Sequence, residues 1–256
     1  MDRRSFLRHA TGAACLCGTC GGGISQAMAS EAAHWAYQGH GGPAEWGGLA
    51  PEYAACSMGK EQSPIDLTKP IAAITGDPVP AWRPLPLKVT NNGHTIQVDG
   101  VGGGTLALDG KSYDLLQFHF HHPSEHTVDG ATFDMECHFV HKAADGGLAV
   151  LGVMIAKGAP NPALEAIWQV MPANGGETVT AAAMLDASML LPKDVVTFRY
   201  AGSLTTPPCT EVVQWVVFRQ AITASAEQLA RLAKLFSNNA RPVMPLNRRK
   251  LLLDVM

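Results

Sequence analysis

Seven short runs rich in β-branched and aromatic residues, most closed by glycine, aspartate or proline, constrain this chain more than any other feature. They read TIQVDG, TLALDG, YDLLQFHFHH, ATFDMECHFVH, LAVLGVMIA, VVTFRY and VVQWVVF, all between Thr95 and Phe218. Runs of this length between turn formers are strands. Two segments carry helical spacing instead. Asn161-Pro162 opens the first, with Leu164, Ile167, Trp168 and Met171 on one side. Ser225 and Gln228 form a capping box for the second, which should bury Leu229, Leu232, Leu235 and Phe236. The expectation is a mostly β (α+β) chain with a few peripheral helices.

The first 29 residues read as an export leader. Arg3 and Arg4 precede a weakly apolar run from Ala10 to Ile24, and AMAS offers a small-residue cleavage site after Ala29. The pattern resembles a twin-arginine signal, with Asp2 where Ser or Thr is usual, and implies a periplasmic protein. A lipid anchor on Cys15, Cys17 or Cys20 has no convincing lipobox before it. The apolar run is too short to cross a bilayer, and beyond it nothing approaches ~20 continuous apolar residues, so no membrane span and a soluble mature protein are expected. Residues 30–256 remain, a length that suits one domain with a sizeable core. They carry 16 basic and 21 acidic side chains, a balance that gives no support for nucleic acid or anionic membrane. The group RRK at 248–250 reads as surface charge. Three cysteines survive processing. Cys137 lies inside an apolar alternation and reads as a small buried hydrophobe. Cys56 and Cys209 sit in loop-like sequence and are the favoured pair in an oxidising compartment, with the connectivity left open by the residues themselves.

The histidines fall on strands. Residues i and i+2 of a strand share a face. Gln117, His119 and His121 therefore point one way, and Phe118, Phe120 and His122 the other. Pro123 ends the pairing. The run that follows repeats the pattern, with Glu136, His138 and Val140 on one face and Cys137, Phe139 and His141 on the other. If the two strands pair, His119, His121 and His138 converge on one cation. Three neutral imidazoles with a fourth position open describe a catalytic zinc site. Gln117 and Glu136, two residues before His119 and His138 on the same faces, are placed to fix the ligand tautomers. The plainer alternative is a set of half-buried strand histidines satisfied by backbone.

QFHFH, SEHTVDG, ECHFVH and SLTTPP, in that order and at compatible spacing, resemble the alpha-class carbonic anhydrases, in the compact, exported bacterial form. HWAYQG, GKEQSPID, NNGHTIQV and RPVMPLNRR extend the resemblance over nearly the whole mature chain. It implies one catalytic domain over 30–256 built on a large, mostly antiparallel central sheet. It also implies reversible hydration of carbon dioxide to bicarbonate and a proton by a zinc-bound hydroxide. The loop from His121 to Ser124 is shorter than in animal members.

Carried over by position, the resemblance makes His119, His121 and His138 the zinc ligands. Thr205 becomes a gatekeeper whose hydroxyl donates to Glu125, an acceptor when ionised. Val140, Val150, Leu204, Thr206, Val213 and Trp215, with Thr205, match the substrate pocket. His122 and His126 become scaffolding. His94 matches the family's proton shuttle, although NNGH alone reads as a turn histidine. Bacterial members bridge the cysteine of TTPPC to one near the N-terminus, here Cys56. Anions and sulfonamide-type inhibitors are implied ligands, and a monomer or homodimer the implied state. Two rivals compete. A cupin would use His119, His121 and Glu125 as ligands, but its second motif is missing and Pro123 takes Glu125 off the strand. A zinc-free binding module on the same fold would lack a ligand histidine, and all three are present.

Overall fold

The two longest apolar runs are buried on both faces, which places them mid-sheet. Met135–Lys142 is buried at every position but the last, and Leu148–Lys157 along its middle. The computed structural model describes residues 33–255. The expected leader, its cleavage site, Cys15, Cys17 and Cys20 all lie outside the described residues.

Ten strands order the main sheet. In chain order they are β1 (Ile71–Ala73), β2 (Leu85–Asn91), β3 (Ile96–Asp99), β4 (Lys111–His121) and β5 (Met135–Lys142). Then follow β6 (Leu148–Lys157), β7 (Thr178–Leu185), β8 (Thr197–Gly202), β9 (Val213–Phe218) and β10 (Leu252–Asp254). In space they run β7-β2-β3-β4-β5-β6-β9-β8-β10-β1, with short strands at the margins. Along this path only β6 with β9 and β10 with β1 are parallel, so the sheet is mostly antiparallel as expected.

All seven strand-like runs hold strands. Two long strands escaped the sequence reading, β2 and β7, which pair with each other. Pro86 interrupts the first, and a register shift in β7 between Thr180 and Met184 accommodates the pairing opposite it. The alanine-rich β7 lies at the sheet edge, largely exposed, where no buried face imposes alternation. The first helix, α1 (Pro162–Gln169), is capped by the Asn161 side chain and ends two residues before Met171, which packs beside the core without being helical. The second, α2 (Ala226–Leu235), has the expected capping box. Leu229 and Leu232 are buried, whereas Leu235 and Phe236 are only partly so.

One core fills the face bearing Phe118, Phe120, Cys137 and Phe139, under α1 and α2. A smaller cluster occupies the opposite face and includes Val140, Val150, Val213 and Trp215. A third gathers Trp46, Tyr53, Cys56 and Cys209. Here Cys56 bridges Cys209, and Cys137 is a buried free thiol. Cys56 sits on a helical turn, Ala55–Met58, and not in the loop expected for it. Arg249 departs further from expectation. It is half-buried, donates to the carbonyls of Gln62, Ala201, Pro245 and Leu246, and packs over Tyr200. Of the RRK group, Arg248 and Lys250 are the exposed charges. Among the described residues no helix is long and apolar enough to cross a membrane.

Candidate metal centre

Register brings the histidines together. β4 and β5 pair antiparallel, with His119 opposite His138 and His121 opposite Glu136. Because side chains alternate, all four lie on one face. One ring nitrogen from each of His119, His121 and His138 lies within 4.8 Å of the others. Two of the rings commit their remaining nitrogen to a hydrogen bond. Gln117 Oε1 accepts from His119 Nδ1 at 2.8 Å, and the Asn239 carbonyl accepts from His121 Nδ1 at 2.8 Å. Glu136 Oε1 lies 2.9 Å from His138 Nε2, off the line of a well-formed hydrogen bond. Gln117 and Glu136 thus lie beside the rings they precede in sequence, and Asn239 was not foreseen.

Electrostatics favours the ligand state. Burial pulls His119 well below the usual imidazole range, His121 down to about 4, and His138 below its ordinary value. All three rings are therefore neutral at physiological pH, as metal ligands must be. His121 Nε2 is buried with no hydrogen-bond partner, a cost that a cation would remove. The donor set and this orphaned nitrogen fit zinc.

Glu125 is fully buried beside the cluster, its Oε2 3.5 Å from His121 Nε2 and 3.8 Å from His138 Nδ1. It belongs to neither possible ligand group found among the described residues, so the cupin arrangement is not favoured. Burial pushes its carboxyl up to about 7, against His138, the Thr205 hydroxyl and the Arg241 N–H, which lower it. The Arg241 main-chain N–H donates to Glu125 Oε1 at 2.8 Å.

Glu136 is held well below the usual carboxylate range, its burial outweighed by His126 and His138. It also accepts from the main-chain N–H groups of Glu125 and His126. His126 joins Glu136 through Nδ1 at 2.8 Å and the Tyr200 hydroxyl through Nε2 at 2.6 Å, a buried partner as expected. Gly152, opposite His138 on β6, leaves room for this carboxylate, since a Cβ there would stand 3.1 Å from Glu136 Oε1. His122 turns away and meets the Ser237 carbonyl.

Val140, Val150, Val213 and Trp215 are buried in one cluster, with Leu204 packed against it. Trp215 also contacts the His138 ring edge-on, at 4.8 Å between centroids. Thr205 is buried and Thr206 half-buried, in the segment closed by Cys209. His94 lies at a cavity of about 340 Å³ with His34, Trp35 and Asn239. Its ring stacks on Trp35 at 3.8 Å, and burial with neighbouring His34 lowers its pKa. The Asn239 side-chain amide donates to the His94 carbonyl at 2.9 Å, tying that turn to the loop that supports His121. Asn239, Arg241, Tyr200 and Ser63 were missed as site residues. Tyr200 ends the strand run VVTFRY, which marks a strand but no partner. Ser63 and Arg241 fall in the motifs GKEQSPID and RPVMPLNRR, and Asn239 just before the latter, where no alternation points to a site.

Three comparisons bear on this geometry. The family model for eukaryotic-type carbonic anhydrase matches residues 41–254. A carbonic anhydrase of Pectobacterium carotovorum is 43% identical over 225 residues, spanning 87% of this chain and 92% of the relative. One from Neisseria gonorrhoeae is 44% identical over 230 residues, covering 88% and 90%. The alpha-carbonic anhydrase of Thermovibrio ammonificans, solved with the inhibitor sulfanilamide, superposes with a TM-score of 0.85 at 45% identity. That match covers 87% of this chain and 100% of the other. Fold, paired histidine strands and relatives agree, and the chain belongs to the eukaryotic-type, or alpha, carbonic anhydrase family.

Proposed function

We propose that this chain is an exported carbonic anhydrase that interconverts carbon dioxide and water with bicarbonate and a proton. The observation that carries the reading is the convergence of three neutral imidazoles beside a buried carboxylate and an apolar wall. His119, His121 and His138 would hold zinc. Zinc lowers the pKa of a bound water to about 7, and carbonic anhydrase is the reference case from which that value is taken.

The chain's own residues supply orientation and proton traffic. Glu125 receives the Arg241 N–H on one oxygen, with the Thr205 hydroxyl also beside its carboxyl. A cation held by the neighbouring histidines would favour the ionised form of Glu125, which accepts only, so Thr205 would donate to it and keep its lone pairs for a group that carries a proton. That arrangement aligns a protonated nucleophile and disfavours a bare anion. Carbon dioxide has neither charge nor dipole, and Val140, Val150, Leu204, Val213 and Trp215 offer it an apolar wall, with the half-buried Thr206 next to Thr205 in sequence. His94 carries the proton outward, its burial-lowered pKa easing release to buffer. Anions and sulfonamides are the expected inhibitors. The Cys56–Cys209 bridge supports work in an oxidising compartment, the periplasm on the leader's evidence. Stopped-flow carbon dioxide hydration, with metal content measured on the same sample, tests the proposal. Zinc-loaded protein that does not accelerate hydration would end it.

A further inference from the structure

Arg241 holds a buried charge whose guanidinium makes no contact with the histidine cluster. Nη1 donates to the Ser63 carbonyl at 2.8 Å, Nη2 to the Cys56 carbonyl at 2.9 Å, and the group lies 5.5 Å over the Trp46 ring. Its main-chain N–H meanwhile donates to Glu125 Oε1. Both carbonyls belong to residues fastened to the segment carrying Thr205. Ser63 exchanges hydrogen bonds with Ser203 in both directions, N–H to Oγ each way, at 3.0 and 3.1 Å. Cys56 is covalently joined to Cys209. Arg241 therefore touches the frame of Thr205 with its side chain and the carboxylate of Glu125 with its backbone. The segment around it has no helix or strand of its own to hold it.

We propose that Arg241 is a positioning residue that sets the Glu125 carboxylate in one frame with the Thr205 hydroxyl. The inference rests on the carbonic anhydrase reading and adds a part to it. Without the guanidinium, the residue 241 N–H loses its registration on Ser63 and Cys56. Glu125 then turns relative to Thr205, while His119, His121 and His138 keep their own supports from Gln117, Asn239 and Glu136. The effect should fall on alignment and spare metal retention.

The test compares Arg241→Met and Arg241→Lys with Arg199→Met. Arg199 is a similarly buried arginine that holds the Gly76 carbonyl at the far end of the sheet, so its loss reports general destabilisation. Each protein is assayed for zinc, thermal unfolding, kcat and KM. Calorimetry then measures binding of sulfanilamide, which can present an N–H to Thr205, and of thiocyanate, which carries no proton. Arg241→Met should keep zinc and KM but lose about 10- to 100-fold in kcat, as small misplacements do. Sulfanilamide should weaken more than thiocyanate, Arg241→Lys should fall between, and Arg199→Met should lose stability with kcat unchanged. If Arg241→Met matches Arg199→Met in kcat and in inhibitor preference, Arg241 only holds the fold. Should Arg241→Met fail to fold, Arg241→Lys faces the same comparison. If the wild type binds both inhibitors but hydrates no carbon dioxide, the function fails, and the calorimetric preference still decides the positioning.

Discussion

At the scale of single residues, three clustered imidazoles, two of them with a nitrogen committed elsewhere, make a site that discriminates sharply among substitutions. Removing His138 leaves two ligands and an under-coordinated cation. His138→Ala should therefore lose most of its zinc in a dialysed sample assayed by atomic absorption. Glu125→Ala should retain it, because Glu125 lies outside the ligand group. An empty site in Glu125→Ala would restore the cupin arrangement. His94 belongs to a different step. A donor of pKa ~7 releases protons directly to water at only ~10³ s⁻¹ if recombination is near the diffusion limit. His94→Ala should keep zinc and fold, and slow hydration in dilute buffer. Isotope exchange between carbon dioxide and bicarbonate should stay unchanged, and added imidazole should restore turnover. Wild-type hydration by the variant in dilute buffer would reduce His94 to a turn residue stacked on Trp35.

At the scale of elements, alternation carried most of what was legible. The faces of β4 and β5 follow from i, i+2 spacing, and their register then delivers His119 to His138 without further information. Capping chemistry likewise marked where α1 and α2 begin. What alternation could not reach lies in the irregular segments. Asn239 and Arg241 meet His121 and Glu125 through main-chain groups, Asn239 O and Arg241 N, more than a hundred positions away in sequence, and main-chain groups leave no mark in side-chain periodicity. β2 and β7 were lost because a proline and an exposed alanine run blur the period. The buried side of β5 makes its own prediction. His141 is fully buried, accepts from Trp82 Nε1 at 3.2 Å, and is pulled by burial down to about 4. An unfolded histidine titrates near 6.5. Between those values the unfolded chain binds the extra proton, so stability falls as pH drops from about 6.5 to 4 and then levels. The contribution is of order 3 kcal/mol. His141→Gln keeps an acceptor for Trp82 and removes the titration. Its stability relative to wild type should be lowest near neutrality and recover toward pH 4 in urea unfolding. A pH-independent difference would mean that His141 titrates alike in the folded and unfolded chains, and that burial does not hold it neutral.

At the scale of the whole molecule, the bridge from Cys56 to Cys209 joins residues 153 positions apart and fastens the N-terminal aromatic cluster to the segment that holds Thr205. Loop closure of that length restricts the unfolded chain by roughly 5 kcal/mol in the chain-entropy model. Such a restraint is a large fraction of the ~5–15 kcal/mol that separates folded from unfolded domains. Position adds to it. Cys56 O is one of the two carbonyls gripped by Arg241, so losing the bridge loosens the far end of the frame around Glu125 as well. Peptide mapping of non-reduced mature protein should recover Cys56 joined to Cys209 with Cys137 as the free thiol. The double variant Cys56→Ala/Cys209→Ala should unfold at lower urea by several kcal/mol. Under conditions where it remains folded and holds zinc, its kcat should also fall, because Thr205 and Glu125 no longer share a fixed frame. A variant that loses stability yet turns over at the wild-type rate would show that the bridge restrains only the unfolded chain, and that Ser63 alone suffices to register the site.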